Sequence, residues 1–145
     1  MRSAIGYSRY LPERDGILNS LLLANVMAEE QKPLGELVAA LQKEFGPHYY
    51  GRRDLHIPEE LKRNAISRAQ SKETRQLGKY SVVRKEYLDG IKLFLSASTN
   101  GNGAEPWVLF RASGTEPLLR IYAEAASQEL VEEVLVSAQA FVQSA

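Results

Sequence analysis

The sequence predicts an α+β fold: an N-terminal helical hairpin, then a mostly antiparallel sheet with helices packed on one face. Three observations predict it. Apolar residues recur at helical spacing through residues 17–45 and again through 130–142. Between these patterns, short runs rich in β-branched and aromatic residues are separated by Asp-Gly and Asn-Gly turn signals. The one helical pattern between the strand-like runs, after Pro58, has a thin apolar face suited to covering one side of a sheet.

Taken in order, Asp15 is placed to cap a helix reaching about Glu30, whose Ile17, Leu18, Leu21, Leu22, Val26 and Met27 form a broad stripe. Pro33 opens a second helix with Leu34, Leu37, Val38, Leu41 and Phe45 on one side, and Gly46-Pro47 stops it. A short strand is expected near 49–56, with a domain boundary just before it. Pro58-Glu59-Glu60 starts a third helix to about Ser71, its apolar residues being Leu61, Ala65, Ile66 and Ala69. Residues 79–87 read as a strand, Asp89-Gly90 as a two-residue hairpin turn, and Ile91–Ala97 as the return strand. Ser98–Pro106, with two Asn-Gly steps, reads as a turn-rich surface loop. Strands at 107–112 and 117–125 follow, and Ser127 caps a last helix with Leu130, Val131, Val134, Leu135, Ala138, Phe141 and Val142 on its apolar stripe. From residue 48 onward the expected order is strand, helix, four strands, helix.

Composition narrows the function classes. A chain of 145 residues is enough for one ordinary domain or a small domain with an appendage. With 44% hydrophobic and 25% charged residues it has a globular profile. Eighteen basic residues balance 18 acidic ones, which argues against broad attraction to nucleic acid or an anionic membrane. The absence of cysteine rules out disulfides and thiolate metal sites and fits a cytoplasmic protein. The apolar stretch Ile17–Met27 is interrupted by Asn19, Ser20 and Asn25 and is too short to span a membrane.

The segment Arg111-Ala112-Ser113-Gly114-Thr115-Glu116-Pro117-Leu118-Leu119-Arg120 carries the clearest chemistry. A turn of small residues between two strands lets backbone N–H groups converge on an anion, two hydroxyls add donors, and guanidinium groups match phosphate in a fork geometry. The same Ser-Gly-Thr turn also forms for purely conformational reasons. Whether Arg111 and Arg120 share a sheet face depends on a register that the residues leave open. Tyr122 and Glu124 fall on the same strand face as Arg120 and read as its support. His48 and His56, with no acidic ligands patterned around them, do not read as a metal site. Trp107 reads as a core or interface aromatic, and Arg52-Arg53, with Arg14, as solvated surface.

The run Arg111–Pro117, followed by Arg120, Tyr122 and Glu124, resembles the phosphate-binding loop of the α-D-phosphohexomutases, which include phosphoglucomutase/phosphomannomutase and phosphoglucosamine mutase. Upstream, Tyr10-Leu11-Pro12-Glu13-Arg14-Asp15-Gly16-Ile17 is similar to the stretch that closes the third domain of these enzymes, and Asp89-Gly90-Ile91-Lys92 fits their last domain. The ending Ile121-Tyr122-Ala123-Glu124-Ala125 favours the glucose/mannose branch. Three family segments have no match: the phosphoserine loop, the aspartate loop that holds Mg²⁺, and the Glu-Xaa-Ser sugar-recognition segment expected before Ile5. Ser96-Ala97-Ser98-Thr99-Asn100 lacks the histidine and proline context of the serine loop.

The resemblance implies that residues 1–47 are the helical tail of the family's third domain and 48–145 its phosphate-binding fourth domain. It assigns Arg111, Ser113, Gly114, Thr115 and Arg120 to the non-reacting phosphate of a hexose phosphate. It assigns no catalytic residue and no metal ligand to this chain, with Mg²⁺ held by a segment absent here. The expectation is a fragment of a phosphohexomutase, inactive alone, with no nucleic-acid or membrane partner. The alternative is a stand-alone anion-binding or interaction module without catalysis. The leucine-rich helices predict a homodimer through residues 12–46.

Overall fold

The computed structural model describes residues 15–96, 105–114 and 116–145. The Tyr10–Arg14 stretch, most of the Ser98–Pro106 loop and Thr115 lie outside the described residues. The chain divides into two compact units, Met1–Glu44 and Phe45–Ala145.

The first unit contains α1 (Gly16–Glu30) and most of α2 (Leu34–Phe45). The Asp15 carboxylate accepts from the backbone N–H groups of Ile17 and Leu18, both at 2.9 Å, satisfying two donors that the first turn leaves open. Gln31 ends α1 in the left-handed region at φ 53°, donating its N–H to the Met27 carbonyl. Neither helix buries a side chain: Ile17, Leu21, Leu23, Leu34, Val38 and Leu41 are all exposed.

The second unit is a six-stranded antiparallel sheet with two helices. Its strands are β1 (Tyr49–His56), β2 (Gln76–Leu77), β3 (Tyr80–Glu86), β4 (Ile91–Leu95), β5 (Trp107–Ala112) and β6 (Leu118–Ala125), arranged β1-β6-β5-β4-β3-β2. Helix α3 (Glu59–Gln70) connects the two edge strands, and α4 (Gln128–Gln143) follows β6. Ser127 Oγ accepts from Leu130 N at 3.2 Å as the N-cap of α4. The expected fold class is the observed one.

Alternation sets the two faces of the sheet. Leu93, Leu95, Val108, Phe110, Leu119, Ile121 and Ala123 form one core with Ala65 and Ala69 of α3 and Val131, Val134, Leu135, Ala138, Phe141 and Val142 of α4. On the other face Phe94, Trp107 and Leu109 cluster with Tyr122. The Lys92 ammonium lies 3.9 Å from the Trp107 ring centre, and the Arg84 guanidinium 3.4 Å from that of Phe94. Trp107 is thus a buried aromatic of this second face.

Three expectations need correction. The connection between β3 and β4 takes residues 87–90, so Asp89-Gly90 is part of a longer turn rather than a two-residue hairpin. The return strand ends at Leu95 instead of Ala97. A further strand, β2, pairs Leu77 with Tyr80, and its two residues are too few to show a period in sequence. Gly90 adopts φ 142° and lies where a Cβ would come within 2.5 Å of the Phe110 carbonyl oxygen, which is why glycine occupies that turn.

Candidate anion-binding site at the β5–β6 loop

Strands β5 and β6 are joined at residues 113–117. The pairing Ala112 with Leu119 and Arg111 with Arg120 sets the register, and the Ser113 N–H donates to the Leu118 carbonyl at 2.9 Å to close the hairpin. Arg111 and Arg120 are therefore direct cross-strand partners. Both stand on the sheet face opposite the helices, because their neighbours Phe110, Leu119 and Ile121 point into the helix-covered core.

Two like charges directly opposite each other on a sheet repel. Arg120 makes only long ion pairs, at 3.8 and 4.0 Å. Arg111 is partly exposed and has no hydrogen bond or ion pair among the described residues. Arg120 Nε is shielded from solvent and has no hydrogen-bond acceptor among the described residues. Its nearest carboxylates are Asp54 Oδ2 at 4.0 Å from Nε and Glu116 Oε2 at 3.8 Å from a terminal nitrogen. A shielded donor left unmet is costly, and an acceptor that arrives with negative charge removes both this penalty and the repulsion.

Strand β1 supplies the flank of the site. Asp54 faces Arg120 across the β1–β6 pairing. Its carboxylate accepts from Arg52 Nε at 2.6 Å and from a terminal nitrogen of the same guanidinium. The Arg52 hydrogen bond, chiefly, holds the Asp54 carboxyl below the usual aspartate range. The Arg52 guanidinium also lies 5.6 Å from the Tyr122 ring centre, and Tyr122 packs against Tyr50 at 6.3 Å. Glu124 meets His48 Nδ1 at 3.0 Å. Tyr122 and Glu124 thus sit on the Arg120 face and engage β1 and His48.

The loop itself is held from the helix side. Lys62 on α3 is only 5% exposed. Its ammonium donates to the carbonyls of Ser113 at 3.0 Å and Glu116 at 3.1 Å and lies 2.7 Å from the Glu59 carboxylate. The Ile57 N–H reaches the Pro117 carbonyl at 3.3 Å. A cleft of about 580 Å³ separates this part of α3 from the loop, lined by Lys62, Arg63, Ile66, Ser113, Gly114 and Glu116 among others.

Of the sequence-predicted residues, Arg111 and Arg120 come together, Ser113 and Gly114 form the adjoining loop, and Thr115 lies outside the described residues. The Ser113 amide is consumed within the hairpin, so its hydroxyl is the group left to meet a ligand. Arg53 turns to the helix side, bonding Gln139 at 2.8 Å and pairing with Glu132, and so differs from the solvated surface expected of it. Asp54 and Lys62 were missed by sequence reasoning. A signal existed for each: Lys62 falls on the same helical stripe as Ala65, Ile66 and Ala69, and Asp54 continues the alternation Tyr50, Arg52 along one strand face. Among the described residues no group of three His, Asp or Glu side chains converges as metal ligands. Among the same residues, no helix is long and apolar enough to cross a membrane.

Comparison with known proteins fits this architecture to a family. Residues 23–139 match the family model for the phosphoglucomutase/phosphomannomutase C-terminal domain. The chain belongs to that family. Among its relatives are a probable phosphoglucosamine mutase of Methanopyrus kandleri, 34% identical over 83% of this chain and 23% of the relative, and the phosphoglucosamine mutase of Bacillus subtilis, 32% identical over 82% and 21%. A phosphoglucomutase/phosphomannomutase of Thermococcus kodakarensis is 30% identical over 84% of this chain and 23% of the relative. The chain thus spans about a fifth to a quarter of the length of these curated relatives. Proteins of both names match to similar extents, so the Ile121–Ala125 ending does not assign the chain to the glucose/mannose branch.

Proposed function

We propose that this chain is the phosphate-clamping C-terminal part of a phosphohexomutase, holding the non-reacting phosphate of a hexose phosphate. The observation that carries the reading is the direct pairing of Arg111 with Arg120 beside a loop of small residues. A dianionic phosphate between the two guanidiniums would offset their repulsion and give the shielded Arg120 Nε an acceptor. The Ser113 hydroxyl, the Gly114 N–H and Thr115 complete the proposed donor set.

The clamp acts by positioning. Fixing the far phosphate converts remote binding energy into orientation of the reacting end, which lowers the barrier without this chain touching the reacting atoms. Phosphoryl transfer itself, and the Mg²⁺ that assists it, belong in this reading to segments outside residues 1–145, and the chain alone is inactive. A cytoplasmic location is part of the same proposal and rests on the cysteine-free composition.

The test is an NMR titration of the ¹⁵N-labelled chain with glucose 1-phosphate, with Arg111→Ala as control. Shifts centred on residues 113–116 that vanish in the variant support the clamp. A loop that stays silent at millimolar ligand overturns it. The second reading, an interaction module, is favoured by the exposed apolar side chains of α1 and α2. It proposes association of two copies through residues 12–46, and a monomer by light scattering at high concentration would refute that.

A further inference from the structure

We infer that Lys62, a residue outside the phosphate loop, is the positioning residue that aims the Gly114 N–H toward the anion. The inference rests on the clamp reading above and adds to it a device that sets the loop's polarity.

Among the described residues no peptide bond is cis. In a trans peptide the C=O and the following N–H point in opposite directions. The Ser113 carbonyl is drawn to Lys62 Nζ at 3.0 Å, on the α3 side of the loop. The N–H of the same peptide belongs to Gly114 and so points away from α3. That is the side of the sheet on which Arg111 and Arg120 stand, opposite the helix-covered core.

Glu116 and Pro117 fit the same arrangement. Glu116 offers its carbonyl to Lys62 at 3.1 Å and to Leu118 N at 2.7 Å, so this oxygen too is turned from the arginine side. The peptide after it leads into Pro117, which has no N–H to aim. Two carbonyl dipoles that would repel a phosphate are thereby bound to an ammonium beneath the loop, and the Gly114 amide is left facing outward. The Gly114 N–H has no acceptor among the described residues. A buried lysine that satisfied only itself would need the Glu59 carboxylate alone; the two loop carbonyls are the part of its coordination that bears on the ligand.

The inference predicts a specific response. In the wild-type chain titrated with glucose 1-phosphate, the Gly114 amide moves with the binding isotherm. Lys62→Met leaves the Ser113 and Glu116 carbonyls unheld, so affinity falls about tenfold or more and the Gly114 response is lost. Lys62→Arg keeps charge and donors and regains most of the affinity, a rescue that a purely packing role would not give. If Lys62→Met binds with wild-type affinity and an unchanged Gly114 response, the inference is wrong while the clamp stands. If the wild type is itself silent, the clamp reading has failed first. Should Lys62→Met not fold, the wild type decides: through-hydrogen-bond coupling between Lys62 ¹⁵Nζ and the Ser113 carbonyl carbon must persist at saturating ligand. Loss of that coupling on binding overturns the inference, and its persistence with a shifted Gly114 amide supports it.

Discussion

Arg111 and Arg120 are direct cross-strand partners on β5 and β6, two cations facing each other with only long ion pairs from Arg120 to Asp54 and Glu116 beside them. A like-charged pair in this position works against folding and is retained at the mouth of the loop. The nearest carboxylates lie at 3.8 and 4.0 Å, close enough to soften the repulsion and too far to satisfy Arg120 Nε.

The pair predicts opposite effects on binding and on stability. Arg111→Ala should leave the unliganded chain equally stable or slightly more stable, within about 0.5 kcal/mol, because it relieves repulsion at a partly exposed site. The same change should abolish stabilisation by phosphate. For the wild type, phosphate at about 100 times its dissociation constant should add about 2.7 kcal/mol to unfolding stability. Urea melts of both proteins with and without phosphate check this. A variant that gains as much stability from phosphate as the wild type would remove Arg111 from the site.

Much of the fold was legible because its signals are local. The Asp15 and Ser127 caps, the α4 stripe and the alternation of Ile91, Leu93 and Leu95 are each decided by neighbours within a few residues. The site was legible only in part. Ser113 and Gly114 could be read as a loop, but the meeting of Arg111 with Arg120 depends on register, which is fixed by long-range pairing. Asp54 and Lys62 stand 66 and 51 residues from Arg120 and Ser113 respectively by the numbering, and only tertiary packing brings each pair together. Strand β2 was missed because two residues carry no period.

Glycines divide by what a methyl group would meet. At Gly51 on β1 a Cβ would lie 2.7 Å from Val131 Cγ1 and 2.8 Å from Leu135 Cδ1, both on buried α4 side chains. Val131 is stiff at χ1, so relief requires β1 and α4 to separate. Gly51→Ala should cost about 1–3 kcal/mol. Gly90→Ala should cost more, since its Cβ would meet the Phe110 backbone oxygen at 2.5 Å and its φ of 142° disfavours any side chain. A Cβ at Gly114 meets nothing within 4 Å, so Gly114→Ala should change stability by less than about 0.5 kcal/mol. Denaturant midpoints for the three variants test the order, and a Gly114 variant as damaged as Gly90 would refute it.

The exposed apolar residues of α1 and α2 predict concentration-dependent association. Leu21 and Leu41 are 64% and 56% exposed, with Ile17 and Val38 nearby in sequence on the same helices. If the two helices bring copies together, Leu21→Glu with Leu41→Glu should yield a monomer at all concentrations and leave the β5–β6 loop unaffected, as read by light scattering and loop amide shifts. Equal mass for the variant and the wild type across a hundredfold dilution, about the range light scattering covers, would count against the dimer.

Asp54 gives the site a pH dependence with a definite sign. Its carboxyl is held below the ordinary aspartate value, mainly by the hydrogen bonds from Arg52, with a smaller contribution from the nearby Arg120 charge. A depressed folded-state pKa means that the unfolded chain takes up the proton first as pH falls. The stabilisation is therefore full above the unfolded value of about 3.9. It declines as pH drops below that value and is gone once pH has passed the folded pKa. The pair is partly exposed, so its contribution should stay within about 1 kcal/mol. A ¹³C-detected carboxyl titration should give Asp54 a midpoint below that of a free aspartate. In Arg52→Met the midpoint should rise toward the ordinary value, and Asp54→Asn should flatten the acid limb of the stability profile. Phosphate binding adds a second consequence. Protonating Asp54 removes the negative charge facing Arg120, so the clamp should not weaken through Asp54 in acid; any loss of affinity there should follow the phosphate's own protonation. An affinity that falls with the Asp54 titration instead would mean that the carboxylate holds Arg120 in its binding orientation.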